Sequence, residues 1–207
     1  MTRAVSGKSR ITALAVTDLP EPDFAICGVG TMIYDFKTKT MLKEFSEVME
    51  EGWDKATIES IVQAATNAVR QPPQFQHRYK SSWYLEGAED EAIQQLEDLL
   101  NAEGVTVNLV YSSARDLDVL PKMANKGNSL RWLIDELGIK AEEVVVAGDT
   151  GNDSAMFLIP GVRGIIVENA QPELFARTLA LPTYQAQEHF ADGVLEGEEL
   201  DRLPGPR

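Results

Sequence analysis

Two hydrophobic periods divide the chain. Over residues 54–70, Ile58, Ile61, Val62, Ala65 and Val69 recur at helical spacing, and Gln71-Pro72-Pro73 stops the helix they predict. Residues 89–102 repeat the pattern, with Ile93, Leu96, Leu99 and Leu100 on one face. Between and beside these helices, residues 41–48, 75–85 and 105–111 read as strands, the last by clear alternation. Residues 35–121 thus form a run of strand, helix, strand, helix, strand, a compact α+β unit inserted into something larger. Around the insert, residues 11–16 predict a short amphipathic helix, and two strand-like pieces flank the glycine turn Gly28-Val29-Gly30-Thr31, where either the backbone passes close to something or a bulge sits. Residues 126–137 predict a helix ended by Gly138, 163–167 a short strand, 172–181 a helix and 189–203 a final helix. The whole is α/β, divided as 1–34, 35–121 and 122–207.

The stretch with the most chemical content is Glu143-Val144-Val145-Val146-Ala147-Gly148-Asp149-Thr150-Gly151-Asn152-Asp153. An apolar run without polar alternation suits a strand buried on both faces of a parallel sheet. Its carboxyl end is where open α/β sheets bind ligands, and Asp149, Asn152 and Asp153 offer hard oxygens there, as magnesium and phosphate require. The same residues also suit an ordinary strand-to-helix turn, with Asp153 capping a helix over residues 154–158.

Charge narrows the partners. A net charge of −14 spread along 207 residues argues against a nucleic-acid or anionic-membrane surface, so a phosphate site needs local positive groups. Lys126, at the start of a helix where the macrodipole disfavours a cation, makes physical sense with an anion beside it; a solvated surface lysine is the alternative. Ser6-Gly7-Lys8-Ser9 looks like the end of a P-loop, but Thr2 stands where that motif needs its first glycine. It reads instead as a phosphate-binding turn or a flexible N-terminal loop. Cys27, the single cysteine, lies in an apolar run and reads as packing in a reducing compartment. No secretory segment or membrane-length apolar stretch is present, and the expectation is a cytoplasmic protein without a membrane partner. Asp116-Leu117-Asp118 has the form of a carboxylate nucleophile with a neighbouring acid. Lys80, Ser82, Trp83 and Tyr84 mix donors and aromatics on one strand, suited to a sugar or to a half-buried sheet face.

Taken in order, Ser6-Gly7-Lys8-Ser9, Leu19-Pro20-Glu21-Pro22-Asp23-Phe24, Val29-Gly30-Thr31-Met32-Ile33-Tyr34, Asp116-Leu117-Asp118-Val119-Leu120-Pro121, Lys126-Gly127-Asn128 and Gly148-Asp149-Thr150-Gly151-Asn152-Asp153 resemble the sucrose-phosphate phosphatase branch of the haloacid dehalogenase superfamily, subfamily IIB with a Cof-type cap. The resemblance implies a Rossmann-like core with an inserted α+β cap, and Mg²⁺-dependent hydrolysis of a sugar phosphate through an aspartyl phosphate. It implies Ser6, Gly7, Lys126 and Asn152 at the phosphate, Lys126 and Asp153 as catalytic groups, and Asp149 and Asp153 at the metal. It implies substrate contacts for Asp116 and Asp118, which join Lys80 and Ser82 of the strand read above as candidate sugar contacts, and sucrose 6-phosphate, mannosylfructose phosphate and glucosylglycerol phosphate all suit such a cap.

The departure is informative. The family's nucleophile and general acid lie in an Asp-x-Asp motif before the Ser/Thr motif, whereas only five residues precede Ser6 and none is acidic. Asp116-Leu117-Asp118 falls after the cap and matches a different segment. The expectation is a phosphatase by descent lacking its first core strand, through a misplaced start or a real deletion, and inactive as written. Lys8 also replaces the usual Arg, keeping charge but losing the planar fork. The alternative is a non-catalytic module that binds sugar phosphate or docks a glycosyltransferase of the sucrose-phosphate synthase type.

Overall fold

The computed structural model describes residues 4–6 and 22–198. The helix expected at residues 11–16, Gly7 and the end of the last helix lie outside the described residues. The chain forms two compact units, 1–124 and 125–207.

In the first unit, β1 (Ala4–Ser6), β2 (Phe24–Cys27), β3 (Met32–Asp35) and β4 (Thr40–Met41) form one sheet in that order. β1 runs parallel to β2 with Ser6 opposite Ile26, and β2 and β3 make a hairpin that pairs Cys27 with Met32. The glycine stretch is the hairpin turn. Its backbone is left-handed at Gly28 (φ 60°), Val29 (62°) and Gly30 (86°). For β-branched Val29 this costs about 1–2 kcal/mol, a local strain that the surroundings must hold. Cys27 is buried, its Sγ 3.7 Å from the Ala25 carbonyl, and burial pushes the thiol pKa up, as packing requires.

Residues 41–48 depart from expectation. Only Thr40–Met41 is strand, and α1 (Lys43–Val48) follows. Met41, Leu42, Phe45 and Val48 recur at helical spacing, and Phe45 is buried on that face.

The second sheet has the order β5 (Val69–Arg70), β6 (Ser81–Tyr84), β8 (Asp116–Pro121), β7 (Val107–Ser112), antiparallel throughout. The strand expected over 75–85 is confined to β6, and Pro73–Phe75 is a 3-10 turn. α2 (Lys55–Ala65), capped by Asp54 accepting from the amides of Ala56 and Thr57, and α3 (Asp90–Ala102) supply the core of this part. Ile58, Val62, Leu96 and Leu100 meet Trp83 and Leu117 in one buried cluster. Trp83 and Leu117 are cross-strand partners, as are Ser82 and Asp118 one residue on. Alternation therefore sends Lys80, Ser82, Asp116 and Asp118 to the face opposite the helices.

The second unit is a three-stranded parallel sheet, β11 (Thr183–Gln185), β10 (Arg163–Ile166), β9 (Val145–Gly148), with β9 at one edge. α4 (Lys126–Glu136), α5 (Ser154–Phe157), α6 (Pro172–Thr178) and α7 (Phe190–Glu198) accompany it. The residue types select this arrangement. Asn125 caps α4 by accepting the Asn128 amide, and Gly138 (φ 64°) follows its end. Leu133, Ile165, Ile166 and Leu174 are among its fully buried side chains. No described helix is long and apolar enough to cross a membrane.

Candidate functional site

In the second unit, β9 ends at Gly148 and the chain turns through Asp149 and Thr150 into a 3-10 turn, Gly151–Asp153, continuous with α5. Asp153 does not cap α5 with its side chain. Its carboxylate reaches back, with Oδ2 accepting from the amides of Asp149 (3.1 Å) and Thr150 (3.1 Å) and from the Thr150 hydroxyl (3.2 Å). Oδ1 accepts from Lys126 Nζ at 2.6 Å, and the same ammonium donates to Asn152 Oδ1 at 3.0 Å. The anion beside the awkward lysine is thus Asp153, and the two side chains are only 13% and 7% exposed. Burial pushes the Asp153 carboxyl up, but the bond and charge of Lys126 together with the two amides outweigh it, and its pKa lies below the ordinary carboxylate value.

Gly127 is what lets α4 bring Lys126 so close. A Cβ at that position would stand 2.3 Å from the Ala155 carbonyl oxygen, so the helix backbone lies directly on the turn of α5.

The remaining carboxylate behaves differently. Asp149 is exposed and its carboxylate has no hydrogen bond or ion pair among the described residues. Asp153 Oδ2 is filled by three donors and its Oδ1 faces Lys126, which leaves Asp149 as the exposed carboxylate of this loop without a partner among the described residues. No group of three or more His, Cys, Asp or Glu side chains able to hold a metal occurs among the described residues. Magnesium takes one or two carboxylates and completes its shell with water and phosphate oxygens, and Asp149 fits that mode as a single protein donor.

Of the phosphate-binding residues expected near the N-terminus, Ser6 ends β1, at the carboxyl end of a parallel strand, and Gly7 lies outside the described residues. The candidate sugar contacts on the second sheet form their own network. Lys80 Nζ lies 2.8 Å from Asp118 Oδ2, both side chains 15% exposed, and Ser82 Oγ donates to Asp118 Oδ1 at 2.6 Å. Ser82 itself is fully buried under the Phe75 carbonyl, so its hydroxyl supports Asp118 from within and does not reach solvent. Asp116 stands apart, held by Gln71 and Arg115.

One participant carries no signal in the sequence. His77 Nδ1 accepts the Tyr79 amide (3.2 Å), which puts the proton on Nε2. Nε2 then donates to Thr31 Oγ1 (3.2 Å), whose own hydrogen goes to the Gly28 carbonyl (2.8 Å). A lone histidine between Gln76 and Arg78 offers no periodicity or motif, and its partner lies 46 residues away. Burial, with Lys80 and Lys55 nearby and Asp118 opposing them, lowers its pKa from 6.5 to about 4. The folded state therefore binds fewer protons than the unfolded one between these values. Stability from this group is complete above pH 6.5 and is lost as pH falls towards 4, by about 3 kcal/mol at most. Urea midpoints of the native chain and of H77Q should diverge in that window, with H77Q the flatter; parallel profiles would rule this out.

The model of the sucrose-6F-phosphate phosphohydrolase family matches residues 3–200. Mannosylfructose-phosphate phosphatase of Agrobacterium fabrum is 39% identical over 194 residues, covering 91% of this chain and 76% of that protein. Sucrose-phosphatase 1 of Nicotiana tabacum is 31% identical over 157 residues, covering 74% of this chain but 37% of its own length. Among solved structures, the sucrose-phosphatase of Synechocystis in complex with sucrose and phosphate superposes with a TM-score of 0.77 at 31% identity, over 92% of this chain and 80% of that one. A parallel sheet with an acidic turn at its carboxyl end, a lysine ion-paired to that turn and these likenesses agree: the chain belongs to the sucrose-6F-phosphate phosphohydrolase family, sugar-phosphate phosphatases of the haloacid dehalogenase-like hydrolases.

Proposed function

We propose that this chain handles the phosphate and sugar of a glycosyl phosphate of the sucrose 6-phosphate or mannosylfructose phosphate class. The observation that carries the reading is the Lys126 ammonium, held by Asp153 and Asn152 of the same loop that carries the exposed Asp149. A lysine so oriented offsets charge on a transferring phosphoryl group, with Ser6 and Gly7 as further phosphate contacts by resemblance. Mg²⁺, when bound at Asp149, supplies the charge stabilisation of phosphoryl oxygens that such hydrolysis uses. Residues 35–121 serve as the cap, with the Lys80–Asp118 pair meeting sugar hydroxyls, Ser82 fixing the Asp118 carboxylate, and Asp116 as a further substrate carboxylate held by Gln71. The acidic charge and single cysteine support a cytoplasmic setting.

By resemblance the attacking carboxylate lies before the Ser6 segment, and the five residues that precede Ser6 in this sequence include no acid. Without it the remaining groups only position and neutralise, and turnover falls by many orders of magnitude. Residues 1–207 with Mg²⁺ are therefore expected to bind sucrose 6-phosphate but to release no phosphate from it; measurable release would overturn the expected inactivity, whereas failure to bind either sucrose 6-phosphate or inorganic phosphate would overturn the sugar-phosphate reading. The alternative is a module that binds sugar phosphate without hydrolysis, alone or beside a sucrose-phosphate synthase-type partner, although the intact Lys126 cluster favours the phosphatase reading. Ligand at about 100 times its Kd would then add about 2.7 kcal/mol of stability with no turnover.

A further inference from the structure

We propose that His77 is a positioning residue that ties the sugar-facing side of the cap sheet to the turn Gly28–Thr31. What that turn does for a ligand rests on the sugar-phosphate reading above.

The turn is strained and well placed. Its left-handed residues follow Cys27 directly, and the register of β1 with β2 sets Ser6 opposite Ile26, so the turn opens just beyond the row of Ser6. Carboxyl ends of neighbouring parallel strands are where α/β sheets meet their ligands. Within the turn, the amides of Gly30 and Thr31 both donate to the Cys27 carbonyl, and Thr31 Oγ1 closes onto Gly28. From outside it is held by His77. The imidazole sits on Gly28 so closely that a Cβ there would stand 2.9 Å from Nε2, and the Nε2 proton leaves Thr31 with its acceptor filled. Strained turns persist where surrounding contacts over-determine them, and they cluster at functional sites.

The other end of His77 leads to the sugar side. His77 and Lys80 pair with each other through their backbones, and Lys55 Nζ clamps both carbonyls, at 2.5 Å and 2.9 Å. Lys80 in turn holds Asp118. Imidazole and ammonium therefore project from one four-residue turn pinned by the Lys55 ammonium, and a displacement at the Lys80–Asp118 pair is carried to Thr31 through a short, packed path. His77 is kept neutral, which preserves its single donor for Thr31. No charge change at ordinary pH interrupts the link.

Three variants of the full chain test this: H77A, H77Q and T31V. Glutamine places an amide donor where Nε2 stands, and valine keeps the shape of Thr31 without its hydroxyl. Amide hydrogen exchange at Gly30 and Thr31 is read first without ligand, then the Kd for sucrose 6-phosphate and for inorganic phosphate. We expect H77A and T31V to speed exchange at both amides at least tenfold and to weaken sucrose 6-phosphate about tenfold while leaving inorganic phosphate within twofold. H77Q should restore both, which a merely space-filling side chain would not require. Exchange unchanged in H77A and T31V, or H77Q no better than H77A, overturns the proposal. Failure of the native chain to bind either ligand would remove the sugar-phosphate reading instead, and the exchange comparison, which needs no ligand, still decides whether His77 holds the turn.

Discussion

D153A should lower the stability of the chain by about 3–5 kcal/mol, the range for breaking a buried ion pair by removing one partner. The size follows from what is left behind. Lys126 is 13% exposed at the start of α4, and without the carboxylate its ammonium faces both desolvation and the positive end of the helix. The amides of Asp149 and Thr150 lose their acceptor at the same time. Replacing both partners by apolar residues of similar size, K126M with D153L, should cost clearly less, since no buried charge then remains unpaired. Denaturant unfolding of the three proteins decides it, and a loss under 1 kcal/mol for D153A would mean that Lys126 finds water or another acceptor. The pair also sets a pH limit. Because the Asp153 pKa lies below its ordinary value, its contribution is present above that ordinary value and disappears as pH falls through the lowered one.

G127A sets two effects of opposite sign against each other. Helix propensity favours alanine over glycine by about 1 kcal/mol inside a helix. The new Cβ, however, would lie 2.3 Å from the Ala155 oxygen, 2.5 Å from its carbonyl carbon and 2.8 Å from its Cβ. Two of these are backbone atoms that cannot rotate aside, so α4 and α5 must part. Overpacking of this kind costs about 1–3 kcal/mol even where side chains can adjust, and we expect a net loss of about 2 kcal/mol or more. Because Lys126 is the adjacent residue, phosphate affinity should fall with it. A G127A protein as stable as the native chain, with unchanged phosphate binding, would show that the two elements are not in register-critical contact.

Much of the second unit was legible in advance, because its signals are local. An asparagine cap and a terminal glycine bracket α4, and four small or β-branched residues precede the glycine of the acidic turn. The cap sheet was harder to read. β8 alternates Leu117 and Val119, both fully buried, with Asp116 and Asp118, a clear two-residue period; its Asp-x-Asp form drew a chemical reading and hid the strand. Over residues 41–48, helical spacing was present but short, and one turn of helix carries little periodicity. β11, with three residues at a sheet edge, has almost no pattern to read. The contacts of His77 and Lys55 span 46 and 22 to 25 residues, and only tertiary packing brings them together. The exposed state of Asp149 and the buried state of Ser82 belong to the same class, since sequence names the oxygen but not its neighbours.

The amide of Gln76 has a consequence for the chemical ageing of the protein. Where the short strand β5 stops at Arg70, Gln76 faces β6 and behaves as a piece of backbone. Its oxygen accepts the Ser82 amide at 3.0 Å and its nitrogen donates to the Ser82 carbonyl at 2.7 Å. Hydrolysis of that one amide to glutamate keeps the acceptor and turns the donor into a second negative oxygen against a carbonyl. The ladder at Ser82 would lose a rung and gain a repulsion, at the residue paired directly with Asp118, the carboxylate that Lys80 holds. A side chain that looks like a surface glutamine in sequence is thus the position at which slow deamidation would loosen the cap sheet from within.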